Sequence, residues 1–298
     1  MFSGKFSTAP LSGLFIVLWS TAWIAGKFGL DGAGPMTMLF YRFAIAALVL
    51  LAIAVVAGAR WPTSRRALAH VAIAGALIQA LGLGGVYWGM REGVSAGVSA
   101  LIAGLSPLLT AIGAAWFLGD RIGPRQWLGL LLGIVGVAIV VADRISLGAG
   151  WQGYLSTFGG LAAFVAGTIY QKRYCGDMDL RAGTFIQTLA SAVVILMPAL
   201  LLESLRAEWT ATFVTAIGWM ALVNSVAAMT LLMLLLSRGS ASQVATLFYL
   251  VPPLTALMAY ATLHESLGSL ALIGFVVVAF SVYLATRPVP AKAGRAAS

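Results

Sequence analysis

Apolar residues fall along this chain in blocks of about twenty, separated by short polar clusters. A helix needs about 20 apolar residues to cross roughly 30 Å of hydrocarbon, so each block is long enough to span a membrane. Ten spans are expected, at 10–28, 34–58, 67–90, 94–118, 124–142, 150–172, 180–202, 210–236, 240–263 and 267–286. The expected fold class is an all-α integral membrane protein. All connections are short, and none leaves room for a soluble domain. The first span resembles a signal peptide in position, but it is longer than a typical signal-peptide core and has a counterpart later in the chain. It is therefore expected to be retained.

Composition agrees with this pattern. Of the 298 residues, 61% are hydrophobic and only 9% charged, whereas a soluble domain carries about 25% charged residues. The net charge of +9 would suggest nucleic acid as a partner of a soluble protein. Here its distribution gives it another meaning. With the N-terminus placed in the cytoplasm, only Lys27, Arg91, Arg144 and Arg206 of the 18 basic residues fall outside, and Arg42 lies within a span. The remainder face the cytoplasm, as the positive-inside rule requires. Both termini are thus expected in the cytoplasm and the chain in the plasma (inner) membrane, with the bilayer as its partner and no nucleic acid. The basic tail 288–298 is expected to be disordered. The single cysteine, Cys175, excludes an intrachain disulfide, and no nucleotide loop, metal cluster or cofactor motif is present.

The chain repeats itself. Residues 105–111 read LSPLLTA and residues 250–256 read LVPPLTA, 145 positions later. At that fixed offset, 12 of 35 positions are identical between 95–129 and 240–274, among them Pro107 with Pro252 and Thr110 with Thr255. Upstream, Lys27 meets Lys172, Phe40 meets Phe185, and Gln79 meets Asn224. Two five-helix repeats are expected, 1–146 and 147–287. Five is odd, so the second must enter the membrane with opposite polarity, an inverted-topology arrangement known from transporters, with the substrate site near the midplane.

With these features the chain resembles EamA-type members of the drug/metabolite transporter (DMT) superfamily. The resemblance rests on Trp19-Ser20 in span 1, Arg42-Phe43 in span 2, Pro107 with Gly119-Asp120-Arg121, the run GLLLGIVGVAIV in span 5, and Pro252 with His264-Glu265-Ser266. It covers nearly the whole chain. Departures are His264 where Gly119 stands in the first copy and Gln187 where Arg42 stands. The resemblance implies a ten-helix carrier whose spans 1, 3, 4, 6, 8 and 9 surround a central cavity, with 2, 5, 7 and 10 peripheral. The branch it most resembles is that of aromatic amino-acid exporters.

Several side chains are candidates for substrate contact. Trp19 and Trp23 lie on one face of span 1 with Ser12 and Lys27, and Phe164 and Thr168 lie on a matching face of span 6 with Thr157 and Lys172. Gln79 and Asn224 are mid-span amides at equivalent positions. Such groups face the bundle interior, either as interhelical hydrogen bonds or as substrate contacts. Ser99 in span 4 and Gln243, Thr246 and Tyr249 in span 9 complete the set. Pro107 and Pro252 each remove a backbone donor mid-span and are expected to bend their helices as hinges. Arg42 is expected to be structural, about 12 Å from its helix end by helical rise, where a long side chain can snorkel to the interface. No Asp or Glu lies mid-span, so a facilitator is expected rather than a tightly proton-coupled pump, with Lys27, Lys172 and His70 as the remaining titratable groups near span ends.

The function expected is export of small neutral or zwitterionic metabolites, amino acids including aromatic ones foremost, by alternating access. The spans carry no basic cluster, which argues against phosphorylated substrates. Multidrug efflux and a channel are alternatives. The run Gly93-Val94-Ser95-Ala96-Gly97 matches the serine-hydrolase elbow, but it opens a membrane helix instead of joining a strand to a helix, so an enzyme is not expected. Gly129 and Gly133 form a GxxxG that serves either a homodimer or packing within a monomer.

Overall fold

The computed structural model describes residues 9–118, 124–146, 150–238, 247–265 and 268–286. These are helical almost throughout, with no strand among them. Helix α1 is Ala9–Leu30 and α2 is Pro35–Val56. Helix α3, Arg65–Gly75, runs through a π-helical segment, Ala76–Leu81, into α4, Gly82–Arg91. Helices α5, Ala96–Ala103, and α6, Ser106–Leu118, follow, then α7, Pro124–Ser146, α8, Trp151–Tyr174, and α9, Leu180–Glu203. Helix α10, Ala211–Gly218, runs through a second π-helical segment, Trp219–Ala228, into α11, Met229–Arg238. A 3-10 turn, Phe248–Leu250, precedes α12, Val251–Leu263, and α13 is Ser269–Thr286.

Six helical stretches are long and apolar enough to cross a membrane: Pro10–Leu30, Pro35–Val56, Arg65–Arg91, Ala96–Phe117, Leu180–Glu203 and Ala211–Leu232. Hydrocarbon favours helices because they satisfy their own backbone. Their ends still leave N–H groups exposed, and polar residues cap several of them. Ser64, Ser95 and Thr210 each accept from the N–H three residues on. Pro107 and Pro252 are each the second residue of a helix, and a break in the α-helix precedes each. A turn at Gly104–Leu105 separates α5 from α6, and the 3-10 turn leads into α12.

The helices pack in pairs: α2 on α9, α7 on α13, α4 on α8, and α5 on α12. Glycine allows the closest approach. A Cβ placed on Gly160 of α8 would lie 2.5 Å from the Gly82 carbonyl of α4. Gly133 of the GxxxG faces Leu105 and Ser281 of the same chain. Helix α1 packs on α12, α10 and the second π segment, and it also touches α4 and α5.

Carboxylates fasten two of these pairs at their ends. Glu203, closing α9, accepts from Met36 N (3.1 Å) and Thr37 N (2.7 Å) in the first turn of α2. Glu265, after α12, accepts from Ala96 N (2.8 Å) and Gly97 N (3.4 Å) in the first turn of α5. At the other end of the α2–α9 pair, Asp179 accepts from Arg60 N and from Arg181, whose guanidinium also reaches the Ala57 carbonyl. The Arg181 hydrogen bonds hold the Asp179 carboxyl well below the usual carboxylate range. The loop after α1 therefore meets the loop after α9, where Glu208 N donates to Gly32 O at 2.7 Å. The loop after α2 meets the loop after α8 at the opposite end.

Removing the Glu203 cap is expected to destabilise the fold. Glu203→Ala should cost about 1–2 kcal/mol, the range for losing a helix cap, in unfolding of the detergent-solubilised protein. Glu92→Ala, at an exposed residue, should cost nothing measurable. Equal stability of the two variants would contradict the capping role.

Candidate functional site

Gln79 lies in the first π segment and Asn224 in the second, at the same repeat position. π-Helical turns are rare and concentrate at functional sites. The two segments are supported alike. The Gly75 carbonyl, at the start of the first, accepts from Ser191 Oγ of α9 at 3.0 Å. The Met220 carbonyl, 145 positions later, accepts from Ser225 Oγ at 3.0 Å. Gln79 is held loosely, with its amide 3.4–3.5 Å from Thr188 Oγ1. Asn224 is held tightly on one side: Nδ2 donates to the Leu18 carbonyl of α1 at 2.7 Å and to Thr21 Oγ1 at 3.3 Å. Its buried Oδ1 has no partner within the protein.

Beside Asn224 lies a crevice of about 670 Å³ between α1, α10 and α12. Thr21, Ile24, Ala25 and Phe28 form its α1 wall, with Thr215 and Trp219 opposite and Thr262 at the α12 side. Thr21 is its hydrogen-bonding hub. Its hydroxyl donates to Leu18 O at 2.6 Å and accepts from Trp219 Nε1 at 2.9 Å and from Asn224. Among the described residues, no charged side chain lines the crevice. Hydroxyls, an indole and apolar groups suit a neutral or amphipathic solute.

The other sequence candidates are dispersed around this feature. Trp19 and Trp23 lie on the opposite side of α1 from the crevice wall. Trp19 packs against Phe15 and Phe248 at centroid distances of 5.3 and 5.2 Å. Trp23 is buried, and its Nε1 has no protein partner; Ser99 Oγ is in the same state. Thus three candidates, Trp23, Ser99 and Asn224, carry a buried polar atom unanswered by the protein, as do Thr37 and Thr255. Each such atom costs about 1–3 kcal/mol if left so. Phe164 and Thr168 are half-buried on α8, and the Thr168 hydroxyl donates to the Phe164 carbonyl of its own helix at 2.8 Å. Gln243 and Thr246 lie outside the described residues, and only the backbone of Tyr249 is described.

The crevice residues Thr21, Phe28, Thr215, Trp219 and Thr262 were not among the sequence candidates. Thr21, Ile24, Ala25 and Phe28, and likewise Thr212, Thr215 and Trp219, follow helical spacing, so a face-by-face scan for hydroxyls would have found them. In the first turns of α3, His70 Nδ1 lies 2.7 Å from Tyr170 Oη, with Tyr174 stacked on the imidazole at 4.9 Å. Lys27 Nζ donates to the Met90 carbonyl at 3.1 Å. Ser95 of the G-x-S-x-G run caps α5 through its hydroxyl, with no strand before it.

Comparison with known proteins bears on the chain as a whole. The model of the EamA-like transporter family matches twice, at residues 10–142 and 151–287. The uncharacterized inner membrane transporter YedA of Escherichia coli is 26% identical over 91% of this chain and 87% of its own length. The probable terminal-alkyne amino-acid exporter of Streptantibioticus cattleyicolor is 28% identical over 88% and 87%. The probable amino-acid metabolite efflux pump of Escherichia coli is 23% identical over 91% and 92%. A solved crystal structure, 18% identical, superposes with a TM-score of 0.68 over 95% of this chain and 97% of its own, so the fold is shared.

An open crevice predicts selective labelling. In a Cys175→Ser background, Thr215→Cys and Thr262→Cys should react with a small methanethiosulfonate reagent. Thr157→Cys and Thr255→Cys, at positions with 0% exposure, should not. Equal reactivity at all four positions would contradict the crevice.

Proposed function

The chain belongs to the EamA-like transporter family, a family of membrane transporters rather than enzymes, and from that premise we propose that it exports small neutral or zwitterionic metabolites. Amino acids, aromatic ones included, are the foremost substrates. Two relatives named for export of amino acids or their metabolites support that class, and the uncharged crevice with its indole and hydroxyls suits it. The inner-membrane relative supports placement in the plasma (inner) membrane, and the distribution of basic residues supports cytoplasmic termini.

The mechanism is alternating access by two five-span halves, 1–146 and 147–287, inserted with opposite polarity. The observation that carries it is the helix packing. Exchanging the first five expected spans with the last five returns the main packing relations, while the smaller contacts of span 1 with 4 and of span 2 with 3 have no counterpart of similar extent. Spans 2 on 7, 4 on 9 and 5 on 10 map onto themselves. Span 3 on 6 becomes 8 on 1, span 4 on 6 becomes 9 on 1, and span 3 on 7 becomes 8 on 2. Loops that are equivalent in sequence fall at opposite ends of the α2–α9 pair, as inversion demands. The tandem family matches support the same division. The breaks before Pro107 and Pro252 provide matched hinge points, and Trp23, Ser99 and Asn224 provide polar atoms for a passing solute. The described acidic residues lie at helix ends or in loops, which supports a facilitator.

Purified protein in liposomes tests this reading. Uptake of radiolabelled phenylalanine should saturate and show counterflow, and an imposed pH gradient should not drive accumulation. Asn224→Ala should slow uptake about tenfold, the effect of losing roughly 1.4 kcal/mol of transition-state binding. Non-saturable flux would favour a channel. Uphill accumulation on a pH gradient would refute the facilitator, and transport confined to lipophilic cations would replace amino-acid export by drug efflux.

A further inference from the structure

Among the described residues, Arg42 is the charged side chain buried within a membrane-spanning helix, with 7% of its surface exposed. It does not snorkel to the interface as its position suggests. Its guanidinium turns inward, where Nε donates to Ser225 Oγ at 3.2 Å and Nη1 to Tyr87 Oη at 3.4 Å. Both acceptors are neutral, and both spend their own protons elsewhere: Ser225 on the Met220 carbonyl and Tyr87 on the Ala22 carbonyl of α1. The ion pairs among the described residues are Arg91–Glu203 and Arg181–Asp179, so no described carboxylate answers Arg42. A guanidinium offers five N–H donors in a fork that fits a carboxylate. Hydrogen bonds use two of the five here, and the guanidinium carbon lies 5.8 Å from the Phe43 ring centroid.

A charge taken out of water into hydrocarbon without a carboxylate partner marks a functional position, and its counter-charge is the quantity to identify. The surroundings indicate its chemistry. Ser225 follows Asn224, whose buried Oδ1 is an acceptor without a donor. Asn224 in turn holds Thr21, in the wall of the crevice. An anion would answer the free donors of Arg42, and a neighbouring ammonium would answer Asn224 Oδ1.

We propose that Arg42 is the carboxylate receptor of the transport pathway, contributed by a span expected to be peripheral. The proposal rests on the transport reading and narrows its substrate to solutes with a free carboxylate. An α-amino acid places its carboxylate at Arg42 and its ammonium toward Asn224.

The test uses the full-length protein in lipid nanodiscs, with thermal stabilisation titrated by L-phenylalanine, L-phenylalaninamide and phenylacetate. Phenylalanine and phenylacetate should both stabilise the wild type, and the amide should bind at least about tenfold more weakly. In Arg42→Gln the ratio of acid to amide should fall to about one, and Arg42→Lys should restore part of it. A purely structural role would lower the melting temperature of the variants and leave that ratio unchanged. The wild-type comparison needs no variant to fold: if the amide stabilises as well as the acid, the proposal is overturned. If phenylacetate binds and phenylalanine does not, the carboxylate receptor stands and amino-acid transport falls. If none of the three binds, both fall.

Discussion

Hydrocarbon offers a polypeptide no hydrogen-bond partners, so each backbone group that leaves the helical ladder must be met by another part of the same molecule. This constraint explains most of the long-range polar contacts here. Where the π segments begin, serine hydroxyls take the Gly75 and Met220 carbonyls. Where α4 passes α8, Ser156 takes the Gly85 carbonyl at 2.9 Å. Where α2 and α5 begin, Glu203 and Glu265 take N–H groups that have no intrahelical partner. Most of these contacts join distant parts of the chain, so satisfying the backbone also fixes which helices pair.

Around α1 this saturation is incomplete. Helix α1 contributes carbonyls at Leu18 and Ala22, one turn apart, to Asn224 and Tyr87. Around them lie the crevice, the free polar atoms of Trp23 and Asn224, and Arg42, which no described carboxylate answers. The protein places these groups in the membrane interior without completing their hydrogen bonds. A carrier needs such positions, since a solute crossing hydrocarbon must exchange its water for protein partners that are not otherwise engaged.

Much of this was legible in the sequence, and the rest had identifiable reasons for being hidden. Hydropathy located the six helical stretches long and apolar enough to cross a membrane, because blocks of that length span hydrocarbon. The 145-residue offset singled out Gln79 and Asn224, and both lie on π segments. The π segments themselves were not legible, since the first depends on a hydroxyl from Ser191, more than one hundred residues away. The crevice wall is hidden in the sequence because the conspicuous aromatics Trp19 and Trp23 mark the other face of α1, while Thr21 is a hub only through Trp219 and Asn224. From the sequence, Arg42 is expected to be structural, at a depth where a long side chain can snorkel to the interface. Tyr87 and Ser225, brought to it by α4 and the second π segment, turn it inward instead.

The central claim is that the two halves lie in the membrane with opposite polarity, and the side on which equivalent loops emerge tests it most directly. Asp31 is equivalent to Gly176 at the repeat offset and Thr63 to Glu208, and all four are exposed. Single cysteines at these positions, in a Cys175→Ser background, are to be labelled in intact cells with a membrane-impermeant maleimide. Asp31→Cys and Glu208→Cys should be labelled from outside, and Thr63→Cys and Gly176→Cys only after the membrane is opened. Labelling of Asp31→Cys and Gly176→Cys from one and the same side would contradict the inverted arrangement.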